Sequence, residues 1–274
     1  MASLRVLTVL LLSSHTATAI EIWQAGGSGV GWRSSGTLSS LVVDDDGTLR
    51  PAGVDPARSA LAGVKSRGGE IRSPQSRDDL TNILTDGDLE SLWEVTPERA
   101  DGTSMEIDLA AILPINRIRI VGDEEIFLRG YELFVHDGNP ARLRNDRPIA
   151  FENRAHANPE QDAPVIDIEI PLQFVRFIKV ISTSPQEFKI AEVEIFGDGF
   201  APSGQFESEV IELAGAANFG RIELLTQADS LAAVVLQTRT GTKPDPLIYF
   251  YKTEVLIGEE RSELPLVPIG DPEA

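Results

Sequence analysis

Apolar and polar residues alternate strictly along several runs between residues 105 and 170. Met105, Ile107 and Leu109 are separated by Glu106 and Asp108. Ile118 and Ile120 alternate with Arg117 and Arg119. Tyr131, Leu133 and Val135 alternate with Glu132 and Phe134, and Ile166, Ile168 and Ile170 alternate with Asp167 and Glu169. A period of two sends successive side chains to opposite faces, so each run is a strand with one face on a core and one in water. FVRFIKVIS (174–182) and KIAEVEIFG (189–197) close the series, and no long helical pattern interrupts it. Pro114 and Asp137-Gly138 supply turn signals between the runs. Strands at these spacings predict an all-β, antiparallel sandwich.

The rest of the chain is less regular. Residues 1–19 (MASLRVLTVLLLSSHTATA) place Arg5 before the apolar run Val6–Leu12, followed by the small-x-small sequence Ala17-Thr18-Ala19. That order predicts an export leader, with the mature chain starting near Ile20 in an extracytoplasmic setting. The apolar run is shorter than the ~20 residues that a spanning helix needs. Residues 20–40 are rich in Gly and Ser and read as a lead-in or linker, with Trp23 and Trp32 expected to pin it to a core. Asp44-Asp45-Asp46 lacks the alternate spacing of an EF-hand loop and reads as a solvated turn after the Leu41–Val43 strand. Pro202, Ser203 and Gly204 form a linker, after which 205–274 starts a fresh β pattern, a second, smaller or incomplete β unit. Its dense apolar runs, Val234-Val235 and Leu247–Tyr251, are expected to be buried.

Composition narrows the function. Of 274 residues 42% are hydrophobic, enough for a real core, and the formal net charge is −19. Such a charge excludes nucleic acid as a partner and disfavours anionic membranes; a neutral ligand, a cationic partner or a divalent cation fits better. There are no cysteines, so no disulfide, thiolate metal site or cysteine nucleophile is possible. His136 and His156 are the histidines left after leader removal, without zinc-ligand spacing. There is no G-x-S-x-G elbow and no phosphate-binding loop, so the chain reads as a non-catalytic protein.

Residues 80–200 carry a set of short motifs in a definite order. Asp86-Gly87-Asp88 leads to Ser91 and Trp93; Ile107-Asp108-Leu109 follows; then Ile115, Ile118 and Ile120; and last Glu192-Val193-Glu194-Ile195-Phe196-Gly197. This order resembles the discoidin family (coagulation factor V/VIII type C), in its cysteine-free bacterial secreted form. The resemblance implies a galactose-binding-like jelly roll over 41–200, with Trp93 anchoring the turn to the core. It implies a secreted module that binds a carbohydrate or a cell-surface ligand through loops at one end. The alternative is a structural or interaction domain of a secreted assembly, with a protein partner and no small ligand. In the segment 151–160, Asn153, Arg154 and His156 beside Phe151 form the candidate ligand cluster. The resemblance also implies a structural Ca²⁺ held by Asp86, Asp88, Ser91 and Glu192. Calcium takes about six to eight oxygens from carboxylates and carbonyls, which such a turn can supply.

Overall fold

The computed structural model describes residues 2–13, 20–26, 31–212, 217–228, 232–240, 250–257 and 260–265. The described residues are mostly strand, and their helices are single short turns. None of those helices is long and apolar enough to cross a membrane. The chain divides into two compact units, one of residues 1–51 with 203–274 and the other of residues 52–202.

From the N-terminus the strands are β1 (Ala2–Ser13), β2 (Ile20–Gly26), β3 (Gly36–Ser39), β4 (Leu41–Val43) and β5 (Leu49–Pro51). The middle unit holds β6 (Gly53–Val54), β7 (Glu70–Arg72), β8 (Trp93–Val95), β9 (Ser104–Gly122) and β10 (Tyr131–His136). It continues with β11 (Leu143–Arg144), β12 (Arg147–Pro148), β13 (Asn153–Asn158), β14 (Val165–Ser182), β15 (Phe188–Gly197) and β16 (Gly199–Phe200). The chain then returns to the first unit as β17 (Gln205–Ser208), β18 (Ala217–Ala228), β19 (Ala233–Thr240), β20 (Phe250–Ile257) and β21 (Glu260–Pro265).

In the middle unit the two longest strands, β9 and β14, run antiparallel side by side and change neighbours along their length. The first half of β9 pairs with β7, Ile71 opposite Ile107, while its second half pairs with β15, Val193 opposite Ile120. β10 pairs with the second half of β14 and carries β13 on its far side; β15 carries β8. The change of neighbours falls where β9 bulges. Ala110 takes a left-handed φ of 60°, and the β9–β14 register shifts between Val175 and Phe177. A non-glycine residue in that region is strained. Here the Ala110 N–H donates to Asp108 Oδ1 at 2.8 Å, which helps to hold the bulge.

The alternating runs lie as their pattern requires. Met105, Ile107, Leu109, Ile118 and Ile120 are buried, as are Leu133 and Val135. Between them Arg117 pairs with Asp167, and Arg119 with Glu194, on the solvent side of adjacent strands. Trp93 is buried edge-on against Phe188, ring centroids 5.8 Å apart, and so anchors the turn to the core.

The other unit differs from its sequence reading. The segment 20–40 is not a lead-in to the middle unit: β3 pairs residue by residue with β17, Gly36 opposite Ser208. Trp32 is 1% exposed, donates from Nε1 to the Gly47 carbonyl at 2.8 Å and meets Phe206 edge-on. Its core cluster joins Trp32 and Leu49 to Ile222 and Leu224. β4 and β5 form a hairpin in the same unit, closed over the Asp44–Gly47 turn, so the middle unit begins at residue 52 rather than 41. The apolar runs are not uniformly buried either. Val234 packs on the core while Val235 is 53% exposed, because β19 alternates across its two faces. Residues 247–249 lie outside the described residues. β1 pairs with β2 and β18, so residues 2–13 of the segment read as a leader are extended and hydrogen-bonded.

Candidate functional site

The β9 bulge shapes a recess on the outer face of the middle unit. A cavity of about 330 Å³ opens between the ends of β7 and β9 and the β11–β12 hairpin with the segment after it. Its aromatic part is Phe151 and Phe177; its charged walls are Glu70, Arg72, Glu106, Asp108, Asp146 and Arg147. Period-two geometry explains the set. Arg72 lies opposite Glu106, and Glu70 and Phe177 lie opposite Asp108, so all five project from the same face.

Close backbone approach brings the first wall in. A Cβ on Gly69 would press into the Asp108 carbonyl oxygen and Val64 Cγ2, so only glycine lets this turn lie against β9. The hairpin supplies the other wall. Asn145 and Asp146 take left-handed φ values of 51° and 59°, and Arg147 Nη2 reaches Glu70 Oε1 at 2.9 Å.

Every charge at the recess is answered. Glu106 is bonded by Arg72 and, at 3.0 Å, by Lys179. Arg176 bridges Asp108, at 3.1 and 3.2 Å, and Asp146, at 2.9 and 2.6 Å. Burial works to depress the Arg176 pKa, but the hydrogen bonds it donates to Asp146 and Asp108 outweigh it and hold the guanidinium firmly charged. Glu70, Glu106, Asp108 and Asp146 thus face Arg72, Arg147, Arg176 and Lys179, a balanced set on a chain of net charge −19. The cations also cover the rings, Arg176 at 4.6 Å from the Phe177 centroid and Lys179 at 5.5 Å from that of Phe151.

Behind the rings lies His136, 6% exposed, edge-on to Phe177 and Phe151 with centroids 6.0 and 6.2 Å away. Its Nδ1 accepts the Gly138 N–H at 2.9 Å, which leaves the ring proton on Nε2. Nε2 has no partner, a cost of about 1–3 kcal/mol for a buried donor. Burial pushes the His136 pKa down, with the charges of Asp137 and Glu152 opposing and Arg142 assisting, so the ring is held neutral.

The sequence-derived ligand cluster is not one site. Asn153 and His156 lie opposite the buried Val135 and Leu133, whereas Arg154 lies opposite Phe134 and projects from the other face of the edge strand. Asn153 Nδ2 donates to Gln173 Oε1 at 3.2 Å, Arg154 Nη1 to Glu132 Oε1 at 2.6 Å, and His156 stacks on Tyr131 with Nδ1 3.3 Å from its hydroxyl. A register shift between Leu133 and Phe134 divides them, and no sequence pattern signals it. Phe151, from the same segment, does line the recess.

Of the sequence-derived metal set, Glu192 reaches the turn. The Val193 N–H donates to the Leu84 carbonyl at 2.9 Å and the Gly87 N–H to Glu192 Oε2 at 3.1 Å, so the turn and the last long strand meet. Glu192 is pushed up to about 7 by burial, opposed by the Gly87 N–H and reinforced by Asp86 and Glu194. Asp86 Oδ1 accepts the Asp88 N–H, and Asp88 Oδ1 accepts the Glu90 N–H. Among the described residues no three His, Asp or Glu side chains gather around one point. Of the four residues in that set, Asp86 and Glu192 are the two whose charges act on each other.

Sheets and recess together define an all-β antiparallel protein with a ligand-sized hollow on one sheet face. No model of a known family matches the chain, and no curated protein matches it. Among solved structures it is similar to a Clostridium perfringens module, CpGH89CBM32-6, at 20% identity and TM-score 0.38, over 47% of this chain and 93% of that one. The family 32 CBM from C. perfringens NanJ, solved with galactose, is 14% identical with TM-score 0.38, over 48% of this chain and 96% of its own. A chitosan-binding module from a Paenibacillus sp. IK-5 chitosanase/glucanase, solved with chitotriose, is 16% identical with TM-score 0.37, over 46% and 95%.

Proposed function

We propose that this chain is an exported, non-catalytic carbohydrate-binding protein, and that the recess beside Phe151 takes the sugar. The observation that carries this reading is the pairing of aromatic rings with a balanced set of carboxylates and guanidinium groups in one hollow. A sugar offers hydroxyls that bond such planar charged groups and C–H faces that rest on phenyl rings. It is also neutral, which suits a locally neutral hollow on an acidic protein.

Export rests on the order of Arg5, the apolar run and Ala17-Thr18-Ala19. The calcium reading rests on Glu192 and Asp86, with Ser91 and turn carbonyls completing the shell; a bound ion would tie the turn to β15 in a chain without disulfides. A glycan array with the full chain, followed by titration of any sugar that binds, tests the main reading. Phe151→Ala and Arg147→Ala should each weaken binding at least tenfold. Retention of full affinity by both variants would move the site elsewhere.

A further inference from the structure

His136 has a donor with nowhere to go. Its Nε2 is buried and unpaired, while Nδ1 is fixed by the Gly138 N–H, so the ring cannot flip without losing that bond. Most buried polar atoms are paired, and one that is not calls for a reason. Edge-on phenyl neighbours offer only weak N–H···π contact.

The two rings that cover it differ in how they are held. Phe177 belongs to β14 and is paired across the sheet with both His136 and Asp108. Phe151 sits outside any strand, between β12 and β13, and is partly exposed. Both rings line the recess. A side-chain rotation at Phe151 therefore costs no sheet hydrogen bond. Of the charged groups near the imidazole, Asp137 lies 3.7 Å from Nδ1, on the committed side, and Arg142 and Glu152 act on the ring through their charges.

We infer that His136 is a covered sugar-binding residue of this recess: rotation of Phe151 uncovers Nε2–H, which donates to a neutral oxygen of the sugar, a hydroxyl or an acetamido carbonyl. The inference rests on the carbohydrate reading above and adds the residue that selects the ligand's oxygen.

The test uses the full chain labelled with ¹⁵N, with lactose, N-acetyllactosamine and N,N′-diacetylchitobiose as probes. The sugar that binds should shift the His136 Nε2 resonance and slow exchange of its proton. Phe151→Leu should speed that exchange in the free protein. His136→Asn keeps an oxygen acceptor for Gly138 and removes the far nitrogen. It should weaken binding about tenfold, equivalent to about 1.4 kcal/mol. Binding that leaves the Nε2 resonance unmoved would overturn the inference while sparing the carbohydrate reading. Failure of all three probes, together with an empty glycan array, would overturn both.

Discussion

Glu192 accepts the backbone N–H of Gly87 at 3.1 Å across 105 positions of sequence. One carboxylate oxygen thereby ties a surface turn to the strand that closes the middle unit. The bond is a single one, and the carboxyl is pushed up to about 7 by burial, with Asp86 adding to the effect.

An acid whose folded pKa lies above its unfolded value of 4.5 contributes most favourably below that value, and the contribution is lost as pH rises through about 7. Calcium-free protein should therefore lose stability between pH 4.5 and 7, by on the order of 1 kcal/mol after solvent screening. Calcium should restore it at neutral pH, adding about 2.7 kcal/mol at a hundredfold excess over Kd. Glu192→Gln should raise the calcium-free melting temperature at pH 7 and abolish the calcium response. Melting curves with calcium and with chelator check both; curves that coincide, with no metal by elemental analysis, would leave the turn as scaffold.

His136 titrates with the opposite logic. It is a base whose folded pKa is depressed by burial, so its neutral form contributes fully above the ordinary 6.5 and loses that contribution as pH falls toward the folded value. Acid unfolding of His136→Asn should accordingly show a shallower fall in stability below pH 6.5 than the natural chain. Identical slopes would mean that the imidazole is not held neutral.

Arg176 is the shared partner of Asp108 and Asp146. Arg176→Met keeps most of the apolar stem but leaves Asp108 in the bulge without its counter-charge. The loss should be about 2–3 kcal/mol, toward the lower end of what breaking a buried ion pair costs, because these groups are partly exposed. Urea melts of Arg176→Met, of Asp108→Asn and of the double variant measure the coupling, and additive losses would rule it out.

At Gly69 a methyl group would meet the backbone of β9. Gly69→Ala should cost about 1–3 kcal/mol through overpacking and also open the recess wall, so sugar affinity should fall with stability. An unchanged melting temperature would show that this turn is free to move away.

Export leaves a simple trace. N-terminal sequencing of material recovered outside the cytoplasm should begin near Ile20, and an intact Met1 on that material would remove the leader reading.

What local physics governs is legible in the amino-acid order. Period-two alternation marked Met105–Leu109, Ile118–Ile120 and Ile166–Ile170 as strands with one buried face, and the buried positions are those residues. Trp32 and Trp93 read as anchors for the same reason, that a large ring finds its stabilisation in a core. The tertiary structure decided everything that depends on partners distant in sequence. β3 pairs with β17, which follows the middle unit in the sequence, so a Gly/Ser-rich stretch that looks like a linker is part of a sheet. The recess joins Glu70, Asp108, Arg147 and Phe177, residues from separate segments with no shared motif. A register shift sends Arg154 to the opposite face from Asn153 and His156. Alternation fixes which face a side chain takes along its own strand, but pairing register and bulges fix which side chains meet, and those follow from the packing of the whole chain.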